Sequence, residues 1–202
     1  MKGMLVIISG PSGSGKGTVV KKLDYAMSIS VTTRKKRKGE RHGMDYFFIS
    51  EEEFADMREN DEFLEHIQYV GNYYGTPRRY VEDKIDKGEV VVLEIDVIGA
   101  LQIKEKFPET VLVFLIPPTL DELVRRLAFR NTESLTEIEG RMLRALDEID
   151  LIDKYDYLVI NDDLIKAISE INTIVNAEYL KPHRSKSRID RLRLKNKSEK
   201  NM

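Results

Sequence analysis

Gly10-Pro11-Ser12-Gly13-Ser14-Gly15-Lys16-Gly17-Thr18 follows the apolar run Met4-Leu5-Val6-Ile7-Ile8-Ser9 and leads into the helix-competent Val19-Val20-Lys21-Lys22-Leu23. The order is strand, glycine loop, helix. Glycines let the backbone curl with its N–H groups pointing inward, and unpaired donors at a helix start favour a phosphate. Lys16 adds a mobile positive charge for the outer phosphates. Gly10-x4-Gly15-Lys16 has the spacing of a phosphate-binding loop, but the hydroxyl expected next is replaced by Gly17, with Thr18 one place later. Which hydroxyl approaches a bound cation stays open. The plainer alternative is a Gly/Ser turn between a buried strand and a helix, against which stand four glycines, a lysine and both flanks.

A chain of 202 residues that is 41% hydrophobic can bury a proper core, as one domain with inserted subdomains. Cysteine is absent, which excludes a disulfide framework and a thiolate metal site and agrees with a reducing compartment. Met-Lys-Gly runs straight into the first strand with no cleavable-leader pattern, and no apolar run is long enough to span a bilayer. A soluble, cytoplasmic protein with no membrane partner is expected. The net charge of −2 is unevenly spread: 181–202 holds nine Lys/Arg against Asp190 and Glu199, a net +7 that leaves −9 on the rest. This basic tail could touch RNA or an acidic surface; a solvated extension is the simpler reading, so no nucleic-acid partner is expected. His42, His66 and His183 are scattered and suggest no metal site.

Further along, Met27 to Val31 alternates like a short strand, and a basic loop runs from Thr32 to Glu40. Asp45 to Ile49 reads as another strand. Ser50-Glu51-Glu52-Glu53 is a capping box before Phe54 and Met57. Phe63 to Val70 reads as a strand broken by Gly71-Asn72, and Pro77 to Lys87 as a helix ended by Gly88. Val90 to Asp96, Val111 to Ile116 and Tyr157 to Ile160 are nearly continuous apolar runs, as central parallel strands require. Helical stretches lie at Val97 to Lys106, Thr119 to Phe129, Leu135 to Asp150 and Leu164 to Tyr179. The alternation predicts a three-layer α/β/α domain with a central parallel sheet, a small mixed insertion near 34–78, and ligands at the carboxyl ends of the strands.

Two constellations bear on what lies opposite the loop. Arg34 and Arg37, three apart, with Tyr46 and Tyr73-Tyr74-Gly75-Thr76, could receive a second phosphate, because guanidinium matches its oxygens bidentately. A solvated basic loop is an equal alternative. Glu65 and Asp96 are carboxylates, acceptor pairs that match the N1–H and N2–H₂ donors of guanine. Glu65 alone reads as a surface strand residue, whereas Asp96 follows a buried strand directly.

Together these residues resemble the guanylate kinase family. The loop 10–18, Ser28-Ile29-Ser30-Val31-Thr32-Thr33-Arg34, Gly39-Glu40 to Asp45-Tyr46, Gly71-Asn72-Tyr73-Tyr74-Gly75-Thr76, Glu94-Ile95-Asp96 and Asn161-Asp162-Asp163 occur in that family's order over residues 4 to 180. The resemblance implies a reversible transfer from ATP to GMP that gives ADP and GDP. It implies ATP binding by Gly10, Ser12, Gly13, Ser14, Gly15, Lys16, Gly17, Thr18, Arg130 and Asn161. GMP binding is implied for Ser30, Arg34, Arg37, Tyr46, Glu65, Tyr74, Thr76 and Asp96. Catalysis falls to Lys16, Arg126, Arg130 and Arg141, with Mg²⁺ near Thr18 and, through water, Glu94. On the same ground 1–33, 79–125 and 143–180 form the P-loop core, 34–78 the GMP-binding subdomain, 126–142 a helical lid and 181–202 the tail. A homo-oligomer is left open. Departures are the roughly ten residues between Thr18 and Ser28, implying a truncated first helix or missing residues, and Phe129-Arg130-Asn131 where glycines usually flank the lid arginine. A kinase for another nucleoside monophosphate and a non-catalytic binding module remain the alternatives.

Overall fold

Met4 to Ser9 has no polar face to turn towards water, and the computed structural model, whose described residues are 2–69, 71–128, 135–185, 189 and 190, buries all six as the central strand. In chain order the elements are β1 (Met4–Ser9), α1 (Lys16–Val20), β2 (Ala26–Met27), β3 (Val31–Thr32), β4 (Phe47–Phe48), α2 (Glu51–Glu59), β5 (Phe63–Tyr69) and β6 (Asn72–Pro77). Then follow α3 (Arg78–Asp86), β7 (Val90–Glu94), α4 (Val97–Lys106), β8 (Val111–Ile116), α5 (Leu120–Ala128), α6 (Leu135–Ile149), β9 (Tyr157–Ile160) and α7 (Leu164–Leu180). A parallel sheet of order β2-β7-β1-β8-β9 runs through the molecule, with Ile7 opposite Leu93 on one side and Leu112 on the other. One face packs Val19, Val20, Ala167, Ile171 and Val175 of α1 and α7; the other packs Val81, Ala100 and Ile103 of α3 and α4. This is the expected α/β/α sandwich.

Met27 to Val31 does not form one strand. Ala26–Met27 pairs with β7 in the main sheet, whereas Val31–Thr32 pairs with β4 and β6 in a second sheet of order β4-β3-β6-β5. Alternation alone does not say which sheet a short strand joins, so the small sheet begins at Val31, ahead of the expected 34. The first helix is indeed short: α1 is five residues long, the chain tightens through Lys22 N→Val19 O and Leu23 N→Val20 O, and Leu23 is buried in the core.

The small sheet has its own core. Ser50 caps α2 through the expected box with Glu53, which sets Phe54 against Phe63 (ring centroids 4.6 Å) and Tyr73 (5.3 Å). Phe54 is 1% exposed. Phe54→Ala should destabilise the insertion by about 3–5 kcal/mol, with amide protection lost in 31–77 while the strands of the main sheet keep theirs. Uniform loss across both sheets, by hydrogen exchange, would contradict two separate cores.

Candidate active site

The loop between β1 and α1 is shaped by what lies behind it. A Cβ on Gly10 (φ +139°) would sit 2.2 Å from the Leu115 carbonyl of β8, and one on Gly15 (φ +90°) 2.5 Å from Asn161 Nδ2. Neither position has room for a side chain. Asn161, buried just after β9, donates Nδ2 to the Ser14 carbonyl at 2.8 Å. Arg126 of α5 donates to the Asn161 carbonyl at 3.0 Å and to the Ser14 carbonyl at 3.5 Å, while its Nε donates to Glu122 Oε1 at 2.7 Å. Arg125 and Arg126 hold the Glu122 carboxyl down to about 2. With the Ser14 carbonyl tied backwards, the planar trans peptide turns the Gly15 N–H the other way. Lys16 Nζ crosses the loop, donating to Gly10 O at 2.5 Å and Pro11 O at 3.0 Å. Glu94, ending β7, brings both carboxylate oxygens within 3.4 Å of the Cβ position at Gly17, and Thr18 is exposed beside it on α1.

Across from the loop stands the insertion. Arg34 forks onto Glu40 (Nη2→Oε1 2.8 Å, Nη1→Oε2 3.1 Å), and Glu40 also accepts from the Arg37 N–H at 2.7 Å. This pairing lowers the Glu40 carboxyl below its ordinary value. The Arg34 guanidinium lies 5.4 Å from the Tyr46 ring centroid, and Tyr46 meets Tyr74 at 6.0 Å; burial pushes the Tyr46 phenol up. Arg34, Tyr46 and Tyr74 therefore converge as expected. Arg37 also lines a cavity of about 270 Å³, shared with Ser12, Tyr69, Arg141, Arg144 and Glu148. Loop, insertion and α6 all meet there.

The third part is carboxylate. Glu65 is 4% exposed and so is no surface residue; its Oε1 accepts from Thr76 Oγ1 at 2.7 Å, and its Oε2 lies 3.3 Å from the Cβ position of Gly99. Asp96 caps α4, accepting from the Gly99 N–H at 2.9 Å. Burial pushes Glu65 up to about 7; the Thr76 hydrogen bond pulls the other way and the Asp96 charge adds to the rise. Ser30 lies between β2 and β3, its carbonyl accepting from Phe47 N at 2.9 Å. Arg130 falls outside the described residues, as does much of the proposed lid segment. The residue order alone gave no site role to Glu40, which stood only within a family motif, nor to Tyr69, Arg144 or Glu148; only the 3–4 spacing of Arg141, Arg144 and Glu148 along one helix could have signalled the last two.

A carboxyl at about 7 in the folded chain and 4.5 unfolded binds more protons when folded between those values, so stability falls as pH rises through that window. Glu65→Gln should remove the effect: its unfolding free energy should gain about 2–3 kcal/mol on wild type between pH 4.5 and pH 8. Denaturant titrations at both pH values test this, and a pH-independent difference contradicts it.

The family model for guanylate kinase matches residues 2–178. A guanylate kinase of Oceanobacillus iheyensis is 51% identical over 188 residues, covering 91% of both chains. The crystal structure of guanylate kinase from Anaplasma phagocytophilum superposes with a TM-score of 0.75 at 35% identity, covering 91% of this chain and 89% of that one. TT1252 from Thermus thermophilus, at 15% identity, TM-score 0.52 and coverage of 90% of this chain and all of that one, shares the fold alone. With its loop, insertion and sheet order in place, the chain belongs to the guanylate kinase family.

Proposed function

We propose that this chain is an ATP:GMP phosphotransferase. The observation that carries the reading is the cavity lined by Ser12 of the loop, Arg37 of the insertion and Arg141 of α6, with Glu65 of the insertion and Asp96 at the start of α4 as a nearby carboxylate pair. Two anionic nucleotides brought end to end need charge neutralisation and alignment more than covalent help. The loop amides and Lys16 hold the ATP phosphates. Arg34, Arg37, Tyr46 and Tyr74 take the GMP phosphate, and Ser30, Thr76, Glu65 and Asp96 read the guanine edge. An oxygen of the GMP phosphate attacks the γ-phosphorus, the bond from that phosphorus to the bridging oxygen breaks, and ADP leaves with the electron pair. The nucleophile is already anionic, so no protein base is required. Arg126, Arg130 and Arg141 stabilise charge on the moving group, and closure of lid and insertion excludes the water that would otherwise take the phosphoryl group.

Hard oxygen donors suit magnesium: the Glu94 carboxylate beside Gly17 and the Thr18 hydroxyl would help to hold it, Glu94 through water. When bound, Mg²⁺ supplies charge neutralisation at the ATP phosphates. Among the described residues no group of three or more His, Cys, Asp or Glu side chains could hold a metal by itself, which suits an ion that takes most of its ligands from phosphate and water. No described helix is long and apolar enough to cross a membrane, and with the absence of cysteine this supports placing the enzyme in the cytoplasm.

A coupled ADP assay with GMP, AMP, UMP and dTMP should give a kcat/KM for GMP at least about a hundredfold above the others, because no other of these bases presents two adjacent donors to the buried Glu65 and the half-buried Asp96. Equal rates would sink the assignment. Lys16→Ala should lower kcat at least about a hundredfold, and a variant with wild-type turnover would remove Lys16 from the mechanism.

A further inference from the structure

Beyond the residues assigned to the two nucleotides, one contact ties the insertion to α6. Tyr69, at the end of β5, accepts a hydrogen bond from Arg144 Nη1 of α6 at 3.1 Å, and the guanidinium carbon lies 5.3 Å from the Tyr69 ring centroid. The residues are 75 positions apart. On α6, Arg141, Arg144 and Glu148 recur at helical spacing and line one cavity with Ser12, Arg37 and Tyr69. Burial raises the Glu148 carboxyl, and Lys16 is the principal charge that opposes the rise. One stripe of α6 thus faces the phosphate loop, and within it Arg144 is held from the other side of the cleft.

We propose that Tyr69 is a positioning residue for phosphoryl transfer, acting through Arg144 to fix the rotation of α6 and hence the aim of Arg141 into the cavity. A phenol is well suited to this, because its ring face attracts the cation while its oxygen accepts an N–H, so both distance and rotation of the guanidinium are specified. Both side chains are exposed, so their removal need not disturb the core. The proposal rests on the phosphotransferase reading above.

The test is a double-mutant cycle in GMP phosphorylation with Tyr69→Ala, Arg144→Gln and the pair. Each single change should lower kcat about five- to twentyfold with KM for ATP within about twofold and unchanged thermal unfolding, and the double variant should be no slower than the slower single. Tyr69→Phe, which keeps the ring, should recover part of the loss. Leu143→Ser, at an exposed position of the same helix, should leave kcat unchanged. A Tyr69→Ala kcat equal to wild type, or a double-variant loss equal to the product of the single losses, overturns the clasp while leaving the assigned reaction intact. A wild-type chain unable to phosphorylate GMP overturns both.

Discussion

The carbonyl of Ser14 is where the site is anchored. Asn161 and Arg126 both donate to it, one from the end of β9 and one from α5. Three positions remote in sequence are thereby joined at one peptide. A loop whose amides face inward repels itself electrostatically until an anion arrives, and fixing its outward carbonyl from behind keeps that arrangement without a ligand to impose it. Such preorganisation is what makes donors effective at a developing charge. The second glycine constraint follows from the same packing, since Asn161 stands where a Gly15 side chain would be.

The insertion solves a different problem. It must hold arginines close together and still present them to an anion, and Glu40 does so by pairing with Arg34 and accepting from the Arg37 backbone. Its own aromatic core around Phe54 and Phe63 lets it keep shape apart from the main sheet. The inner wall carries a cost: Glu65 is buried beside Asp96 with the Thr76 hydroxyl as its hydrogen-bond partner. A purine edge with two adjacent donors would relieve this, and in the proposed reading the unfavourable burial and the selectivity come from the same atoms.

Much of this was legible in the residue order. Continuous apolar runs marked β1, β7, β8 and β9 because strands covered on both faces have no polar side, and the boundaries of α4 and the Ser50 capping box were readable from local chemistry. The division of 26–32 between two sheets was not, since a two-residue strand has the same pattern in either. Glu65 read as a surface residue because a carboxylate is rarely buried, and the packing of Gly99 against its carboxylate, from a distant helix, reveals the burial. Arg37 and Arg34 looked equivalent as a spaced pair, yet Glu40 takes the guanidinium of Arg34 and the backbone N–H of Arg37, which also lines the cavity. The Tyr69–Arg144 contact joins two elements that no local pattern connects.

In the proposed reading, substrate choice depends on guanine being read by Glu65 and Asp96 while its phosphate reaches the insertion's arginines. A crystal structure with GMP bound tests this most directly. The base N1 and N2 should lie within about 3.2 Å of Glu65 and Asp96 carboxylate oxygens, with the phosphate on Arg34, Arg37, Tyr46 and Tyr74. A base bound away from both carboxylates would contradict it.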